Sequence, residues 1–110
     1  MRELSFINDA LKAGMGKEID AISFHEYTPV EETVFERVSS LRALGIMYNP
    51  TMEIIQGESG SQSRSGGNGA LWSGSWTQLK QAKQLTRHAM ADIIAGCKFT
   101  SYFSCMDMIE

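Results

Sequence analysis

Apolar residues recur along this chain at two spacings, and the two spacings alternate from the N-terminus onward. Residues 3–13 carry apolar side chains three and four positions apart, which predicts a helix ended by Gly14 and Gly16. From Ile19 to Tyr27 the apolar and polar residues alternate with a period of two, which predicts a strand. A helix followed directly by a strand is therefore the first unit of the pattern.

The two faces of this first predicted strand differ in character. Ile22 and Phe24 lie on one face, and in a parallel sheet layered with helices the apolar face meets the helices. The other face carries small residues first and polar residues toward the C-terminal end: Ala21, Ser23, His25 and Tyr27. This gradient is typical of a barrel strand that opens into a site at its C-terminal end.

A second helix and strand follow. The sequence Thr-Pro-Val-Glu at 28–31 predicts a helix start, with Thr28 as the N-cap and Pro29 at the first helical position. The helix extends to Gly45, and its apolar stripe comprises Val34, Val38 and Leu41, with Phe35 beside it. A short apolar run then ends at Glu58, and because it is too brief for a helix it predicts a buried strand.

The third unit follows a segment rich in glycine and serine. Residues 75–78 (Ser-Trp-Thr-Gln) form a second capping box, and the helix that they begin ends at Gly96. One face of this helix is traced by Leu79, Ala82, Thr86, Ala89, Met90, Ile93 and Ile94. Residues 99–106 are rich in β-branched and aromatic side chains and predict a third strand. Three helix–strand units predict an α/β fold with right-handed βαβ connections and a parallel sheet.

Length and charge narrow the classes of function. A chain of 110 residues suits a single domain, residues 1–110. A net charge of −3 without a basic run predicts no nucleic-acid partner, and no apolar stretch approaches the roughly 20 residues that span a bilayer. The N-terminus lacks the apolar core of a signal peptide, which favours the cytoplasm if Met1 is the true start, and localisation otherwise stays open.

The two cysteines add little chemistry. Cys97 and Cys105 have no CxxC spacing and no adjacent histidine, so we interpret them as buried thiols, with a disulfide or a metal pair as the alternatives. We predict no metal site and no cofactor.

The candidate chemistry centres on residues 53–60 (Glu-Ile-Ile-Gln-Gly-Glu-Ser-Gly). The predicted strand ends in a carboxylate, Glu58, held between two glycines that let the backbone turn and leave little bulk around it. Parallel α/β folds place their chemistry at the C-terminal ends of strands. If consecutive strands are neighbours, His25 and Tyr27 lie beside Glu58, and the three side chains can hold a polyhydroxylated ligand and orient a nucleophilic carboxylate.

The segment 59–75, with five glycines and six serines, is the candidate active-site loop. A linker would separate two domains, and the chain has no room for two, so we interpret the segment as a functional loop. Trp72, in mid-loop, is the candidate for stacking on a sugar ring, whereas Trp76 lies in a capping box and is expected to be packed. Arg64 and Asn68 are expected to be solvated, and His88, among polar neighbours on its helix, is expected at the surface.

These motifs resemble a known family. His25-Glu26-Tyr27 followed by Gly57-Glu58-Ser59-Gly60 is similar to strands six and seven of the (β/α)8-barrel retaining glycoside hydrolases, the clan A superfamily. The run Gln-Ala-Lys-Gln-Leu-Thr-Arg at 81–87 is also similar to such enzymes. The resemblance implies that Glu58 is the catalytic nucleophile, that His25 and Tyr27 line the site, and that the substrate is an oligo- or polysaccharide.

The same resemblance implies a partial barrel. A closed barrel needs eight strands and about 250 residues, whereas this chain is similar to the part from the fifth helix to the eighth strand. The acid/base glutamate of the family lies on strand four, upstream of anything in this chain, so the isolated chain is expected to be inactive. Tyr102 or Phe103 matches the aromatic residue of strand eight, and the sequence leaves the register between them open.

Other readings of the motifs stay open. Residues 57–61 differ in one position from the Gly-x-Ser-x-Gly elbow of serine hydrolases, which would make Ser59 a nucleophile. The glycine-rich segment 65–69 resembles a phosphate-binding loop but lacks its Lys-Ser/Thr pair. A third alternative is a non-catalytic α/β fragment, or an assembly or binding module that self-associates through exposed sheet edges.

Overall fold

The computed structural model describes residues 2–66 and 69–104. These residues form an α/β fold with one three-stranded parallel sheet. Helices and strands alternate along the chain: α1 (Arg2–Lys12), a 3-10 turn (Met15–Lys17), β1 (Ala21–His25), α2 (Thr33–Gly45), β2 (Glu53–Ser59), α3 (Gln78–Ala95) and β3 (Thr100–Tyr102). The predicted order of elements and the parallel sheet are thus confirmed.

Consecutive strands are neighbours in the sheet, in the order β1-β2-β3. The register aligns Ala21 with Glu53 and proceeds evenly as far as Phe24, which lies opposite Gln56. His25 then lies opposite Glu58, so Gly57 is an extra residue in β2 that has no partner in β1. This β-bulge lies one residue before the predicted functional carboxylate.

The apolar core lies between the sheet and the helices. Val34, Val38 and Leu41 of α2 are fully buried, as the stripe predicts, and they pack with the apolar residues of β1 and β2. The core cluster comprises Leu11, Ile22, Phe24, Val34, Val38, Leu41, Met52, Ile54 and Ala91. The opposite face of β1, with Ser23 and His25, is exposed, which confirms the predicted alternation.

Two predicted helix starts are wrong by a few residues. The hydroxyl of Thr28 accepts from the amide of Val30 at 3.0 Å, which closes a short turn, and α2 begins only at Thr33. The N-cap of α3 is Thr77 rather than Ser75, because the Thr77 hydroxyl accepts from the amide of Lys80 at 3.1 Å. Both stretches contain residue types that are common at helix N-caps. In α3 the side-chain hydrogen bond shows which residue is the N-cap in the structure.

Helix α3 presents its polar face to the sheet and its apolar face to solvent. The buried residues of this helix are Gln84, His88, Ala91 and Asp92. The predicted surface position of His88 is therefore wrong, because only 1% of the residue is exposed. The exposed face includes Leu79, Met90, Ile93 and Ile94, which belong to the apolar face that the sequence traces. In the described part of the chain, no helix is long and apolar enough to cross a membrane.

This arrangement predicts that two substitutions of apolar residues by alanine lower the free energy of unfolding by different amounts. Leu41→Ala removes a side chain that is 1% exposed and should lower the free energy of unfolding by about 2–5 kcal/mol. Ile94→Ala, at 69% exposure, should change it by about 0.5 kcal/mol or less. Urea unfolding followed by circular dichroism measures both. An equal cost for the two variants would show that the apolar face of α3 is covered.

Candidate active site

Three side chains meet at the C-terminal end of β1 and β2, on the face of the sheet opposite the core. The Tyr27 hydroxyl donates a hydrogen bond to Glu58 Oε1, and Nδ1 of His25 lies 3.5 Å from Glu58 Oε2. The backbone amide of Glu26 donates to the carbonyl of Glu58 at 3.1 Å, which ties the two strand ends together. The strand order thus brings His25, Tyr27 and Glu58, here called the Glu58 trio, into contact as predicted.

The β-bulge at Gly57 explains how Glu58 reaches this face. Ile54 and Gln56 are both buried toward the helices, so strict alternation would also direct Glu58 toward the helices. The extra residue reverses the alternation, which leaves Glu58 paired with His25 and sends Ser59 into the interior. A Cβ at position 57 would lie 2.3 Å from Ser23 Oγ and 3.2 Å from His25 Nε2, so a side chain there would force the Ser23 hydroxyl to move and would crowd the His25 ring.

Tyr27 is held in its protonated form. Burial raises the pKa of the Tyr27 phenol above its ordinary value, and the hydrogen bond to Glu58 and the charge of that carboxylate raise it further. The phenol therefore keeps its proton at neutral pH and donates to Glu58 Oε1. The other oxygen of the same carboxylate, Oε2, faces His25.

Glu26 and Ser59 point away from the Glu58 trio. Glu26 faces α2, where it accepts from the Thr33 hydroxyl at 2.7 Å and lies 3.7 Å from Arg37 Nε. Ser59 is 1% exposed, and its hydroxyl donates to the carbonyl of Ser101 at 3.0 Å. A buried serine committed to a main-chain carbonyl gives no support to the serine-hydrolase alternative.

The segment after β2 is tied to the rest of the fold at its beginning and is closed on itself near its end. Ser61 Oγ lies 3.0 Å from the Tyr102 hydroxyl, and the side chain of Gln81 donates to the Ser61 carbonyl at 3.0 Å. Trp76 is buried and donates to the carbonyl of Leu71 at 2.7 Å, which confirms its packed position. The two bonds of Ser61 hold the start of the segment against β3 and α3.

The other predicted loop residues have mixed outcomes. Trp72 is 60% exposed, and none of the polar contacts of the Glu58 trio involves it. Tyr102 lies in β3 opposite Ser59, so it is the aromatic residue of that strand nearest the loop. Asn68, Cys105 and residues 106–110 lie outside the described residues, as does part of the candidate phosphate loop.

A second group of polar residues lies beneath the Glu58 trio, on the core side of the sheet. It comprises Gln56 of β2, His88 and Asp92 of α3, and Thr100 of β3, and is here called the polar layer. The first three are almost completely buried. Sequence reasoning missed the layer, although His88 and Asp92 are spaced i, i+4 on the helix and Gln56 interrupts the apolar face of its strand.

Burial raises the pKa of two ionisable groups, Asp92 in the polar layer and Cys97 near it. Desolvation raises the pKa of the Asp92 carboxyl, against the lowering effects of the Thr100 hydrogen bond and the nearby His88. Desolvation, followed by the charge of Asp92, raises the pKa of the Cys97 thiol to about 11. Cys97 is a half-buried free thiol and is therefore poorly reactive at neutral pH.

Within the described ranges, no group of three or more histidine, cysteine or acidic side chains is placed to hold a metal ion. Comparisons of the chain with protein-family models, with curated protein sequences and with solved structures give no match.

The raised pKa of Asp92 predicts how stability depends on pH. Because the folded state favours the protonated carboxyl, Asp92 stabilises the fold below its unfolded pKa of about 3.9, and this contribution is lost as pH rises through the higher folded value. Asp92→Asn carries no such charge, so the stability of the wild type relative to the variant should fall as pH increases from about 4 to 7.

The measurement is urea unfolding of both proteins at several pH values. Asp9→Asn, at an exposed position of α1, controls for the removal of one negative charge. A wild type that gains stability relative to Asp92→Asn over the same pH range would contradict the prediction.

Proposed function

We propose that Glu58 is the nucleophile of a retaining glycosidase and that this chain forms part of the (β/α)8 barrel of that enzyme. The observation that carries the proposal is the Glu58 trio, in which a carboxylate at the C-terminal end of a parallel strand accepts a hydrogen bond from Tyr27 and lies beside His25. Parallel α/β enzymes place reacting groups at this position.

The roles of the trio follow from its geometry. In the proposed mechanism one carboxylate oxygen of Glu58 attacks the anomeric carbon, the bond to the leaving oxygen breaks, and water later hydrolyses the glycosyl ester. Tyr27 donates to Oε1, so Oε2 is the oxygen assigned to attack. His25, whose side chain is 58% exposed, is available to a sugar hydroxyl next to the reacting carbon.

The leaving oxygen requires a second carboxylate, which would have to lie about 5–5.5 Å from Glu58 in a retaining enzyme. Glu26 is unsuited because it faces α2. The proposal therefore assigns the acid/base residue to an earlier strand of the parent barrel, and the isolated chain is expected to be inactive.

Several features of the sheet support its place in a barrel. The three strands are parallel and follow in sequence order, which is the strand order of a (β/α)8 barrel. The face opposite the core carries small and polar residues (Ser23, His25 and Gly57) together with half-buried Ile55, which lies opposite Ser23. β1 and β3 each have one strand neighbour among the described residues. Barrel closure would cover that face and pair both edges.

The proposed ligand is an oligo- or polysaccharide. Trp72 projects from the loop with 60% of its surface exposed, so its ring is accessible for stacking on a sugar. The loop that carries it is anchored next to Tyr102, close to the Glu58 trio. These features support a sugar subsite formed by the loop.

A second candidate function is an assembly module without catalysis. The exposed apolar face of α3, together with exposed Phe99 and Phe103 near β3, favours association with further protein. The two sheet edges add unpaired backbone groups that could pair with another copy of the chain. Under this alternative the chain would self-associate and bind no sugar.

The barrel proposal is tested by reading the coding sequence upstream of Met1. An in-frame stretch of roughly 150–200 residues that encodes further strands and an Asn-Glu pair is expected, since a barrel needs about 250 residues. A stop codon immediately before Met1 would contradict the assignment to a barrel.

In the parent protein, Glu58→Gln should reduce kcat/KM on aryl glycosides by about 1,000-fold or more, because the amide is a poor nucleophile. Tyr27→Phe should reduce it by about 10- to 100-fold, the scale of one hydrogen bond to a charged group. Ser59→Ala is the matched control and should keep its activity, since the Ser59 hydroxyl is buried away from the site. Loss of activity in Ser59→Ala with retention in Glu58→Gln would favour the serine hydrolase instead.

A further inference from the structure

The polar layer has a feature that the proposed mechanism does not use. The side-chain amide of Gln56 lies 2.9 Å from two main-chain carbonyls, those of Phe24 and Glu58. Only a nitrogen can donate to two carbonyl oxygens, so the amide nitrogen of Gln56 faces them and its oxygen faces His88 Nε2 at 3.3 Å. One side chain thus bonds to both strands where the register shifts.

The orientation of Gln56 also fixes the proton on His88. Nε2 of His88 lies 3.3 Å from the Gln56 oxygen and 3.6 Å from Asp92 Oδ2, and both of these atoms are acceptors. Nε2 therefore carries a hydrogen. Asp92 Oδ2 accepts from the Thr100 hydroxyl as well, so a continuous chain of polar contacts runs from β3 through α3 to the two carbonyls.

Burial of these groups needs a reason other than core packing. Gln56, His88 and Asp92 are almost completely buried, at positions where apolar side chains would extend the core around Ile54. Buried polar groups are costly unless they are hydrogen-bonded, and a β-bulge disturbs the ladder that normally satisfies backbone carbonyls. The Gln56 amide supplies donors at the bulge itself, to the Phe24 carbonyl and, in addition to the Glu26 amide, to the Glu58 carbonyl.

We propose that Gln56, oriented by His88, is the positioning residue for Glu58, because it binds the carbonyls of Phe24 and Glu58 and so fixes the bulge that directs the Glu58 carboxylate to Tyr27. The inference rests on the proposed function only for the role of Glu58 as a nucleophile. The position of the Glu58 carboxylate relative to Tyr27 can be measured whether or not the protein is an enzyme.

The experiment observes the Tyr27 hydroxyl proton by NMR in the 110-residue chain carrying ¹³Cζ-labelled tyrosine. In an equal mixture of H₂O and D₂O, a hydroxyl that exchanges slowly gives separate Cζ signals for its protonated and deuterated forms. The hydrogen bond to Glu58 should make Tyr27 slow to exchange in the wild type, and Tyr27→Phe assigns the signal.

Two variants of His88 form the matched pair. In His88→Gln the amide nitrogen replaces Nε2 and retains the donor to Gln56, whereas in His88→Asn the shorter side chain does not reach it. We expect separate Tyr27 signals in His88→Gln and a single merged signal in His88→Asn. Gln56→Met, which keeps the volume but removes the amide, should also merge the signals.

Val38→Ala, in the core on α2, controls for general loss of stability and should keep the separate Tyr27 signals. Equal behaviour of His88→Gln and His88→Asn, or separate signals in Gln56→Met, would overturn the proposal. If the variants behave as expected while Glu58→Gln leaves the parent enzyme active, the positioning role stands and the glycosidase proposal fails. The two failures are therefore distinguishable.

Discussion

The β-bulge at Gly57 is the feature on which the site depends. Without the extra residue, the alternation of β2 would direct Glu58 into the core, where an unpaired carboxylate is strongly unfavourable. With it, Glu58 lies opposite His25, and Tyr27 donates to it. The space for the bulge exists because position 57 has no side chain to meet Ser23. The extra residue at Gly57 thus determines which face of the sheet carries Glu58.

The interior of the fold is divided between an apolar core and a polar layer. Toward α2 the sheet packs apolar residues, with Ile54 and Val34 completely buried. Toward α3 and the C-terminal strand ends, the packing changes to hydrogen-bonded polar groups. The apolar residues of α3 face outward because the side of the helix that meets the sheet is occupied by the polar residues His88 and Asp92. Stability and site geometry therefore depend on different parts of the same interior.

The sequence predicted most of the fold because the relevant forces are local. Period-two alternation located β1, the stripe of Val34, Val38 and Leu41 located α2, and the order of the units determined the parallel sheet. Strand order predicted that the ends of β1 and β2 meet, and the bulge at Gly57 turns Glu58 to the face that carries His25. The proposed reaction came from a resemblance to a family and remains a proposal.

What the sequence did not reveal depends on contacts between distant segments. The bulge is a register shift between β1 and β2, and no local pattern marks it apart from Gly57. The burial of His88 required knowing that Gln56 lies opposite it, and its polar sequence neighbours suggested the surface instead. The start of α2 was misplaced because the Thr28 hydroxyl accepts from the amide of Val30 in a turn that precedes the helix. The start of α3 was misplaced because Thr77, two residues after Ser75, accepts from the amide of Lys80.

The most direct test of the proposed function is to identify the carboxylate that a mechanism-based glycosylating reagent labels in the proposed parent barrel. Dinitrophenyl 2-deoxy-2-fluoroglycosides of several sugars are suitable, because the leaving group needs no acid and the fluorine slows hydrolysis of the ester. The account predicts a glycosyl adduct on the peptide that contains Glu58, absent in Glu58→Gln and reduced in Tyr27→Phe. An adduct on a different carboxylate, unchanged by Glu58→Gln, would contradict it.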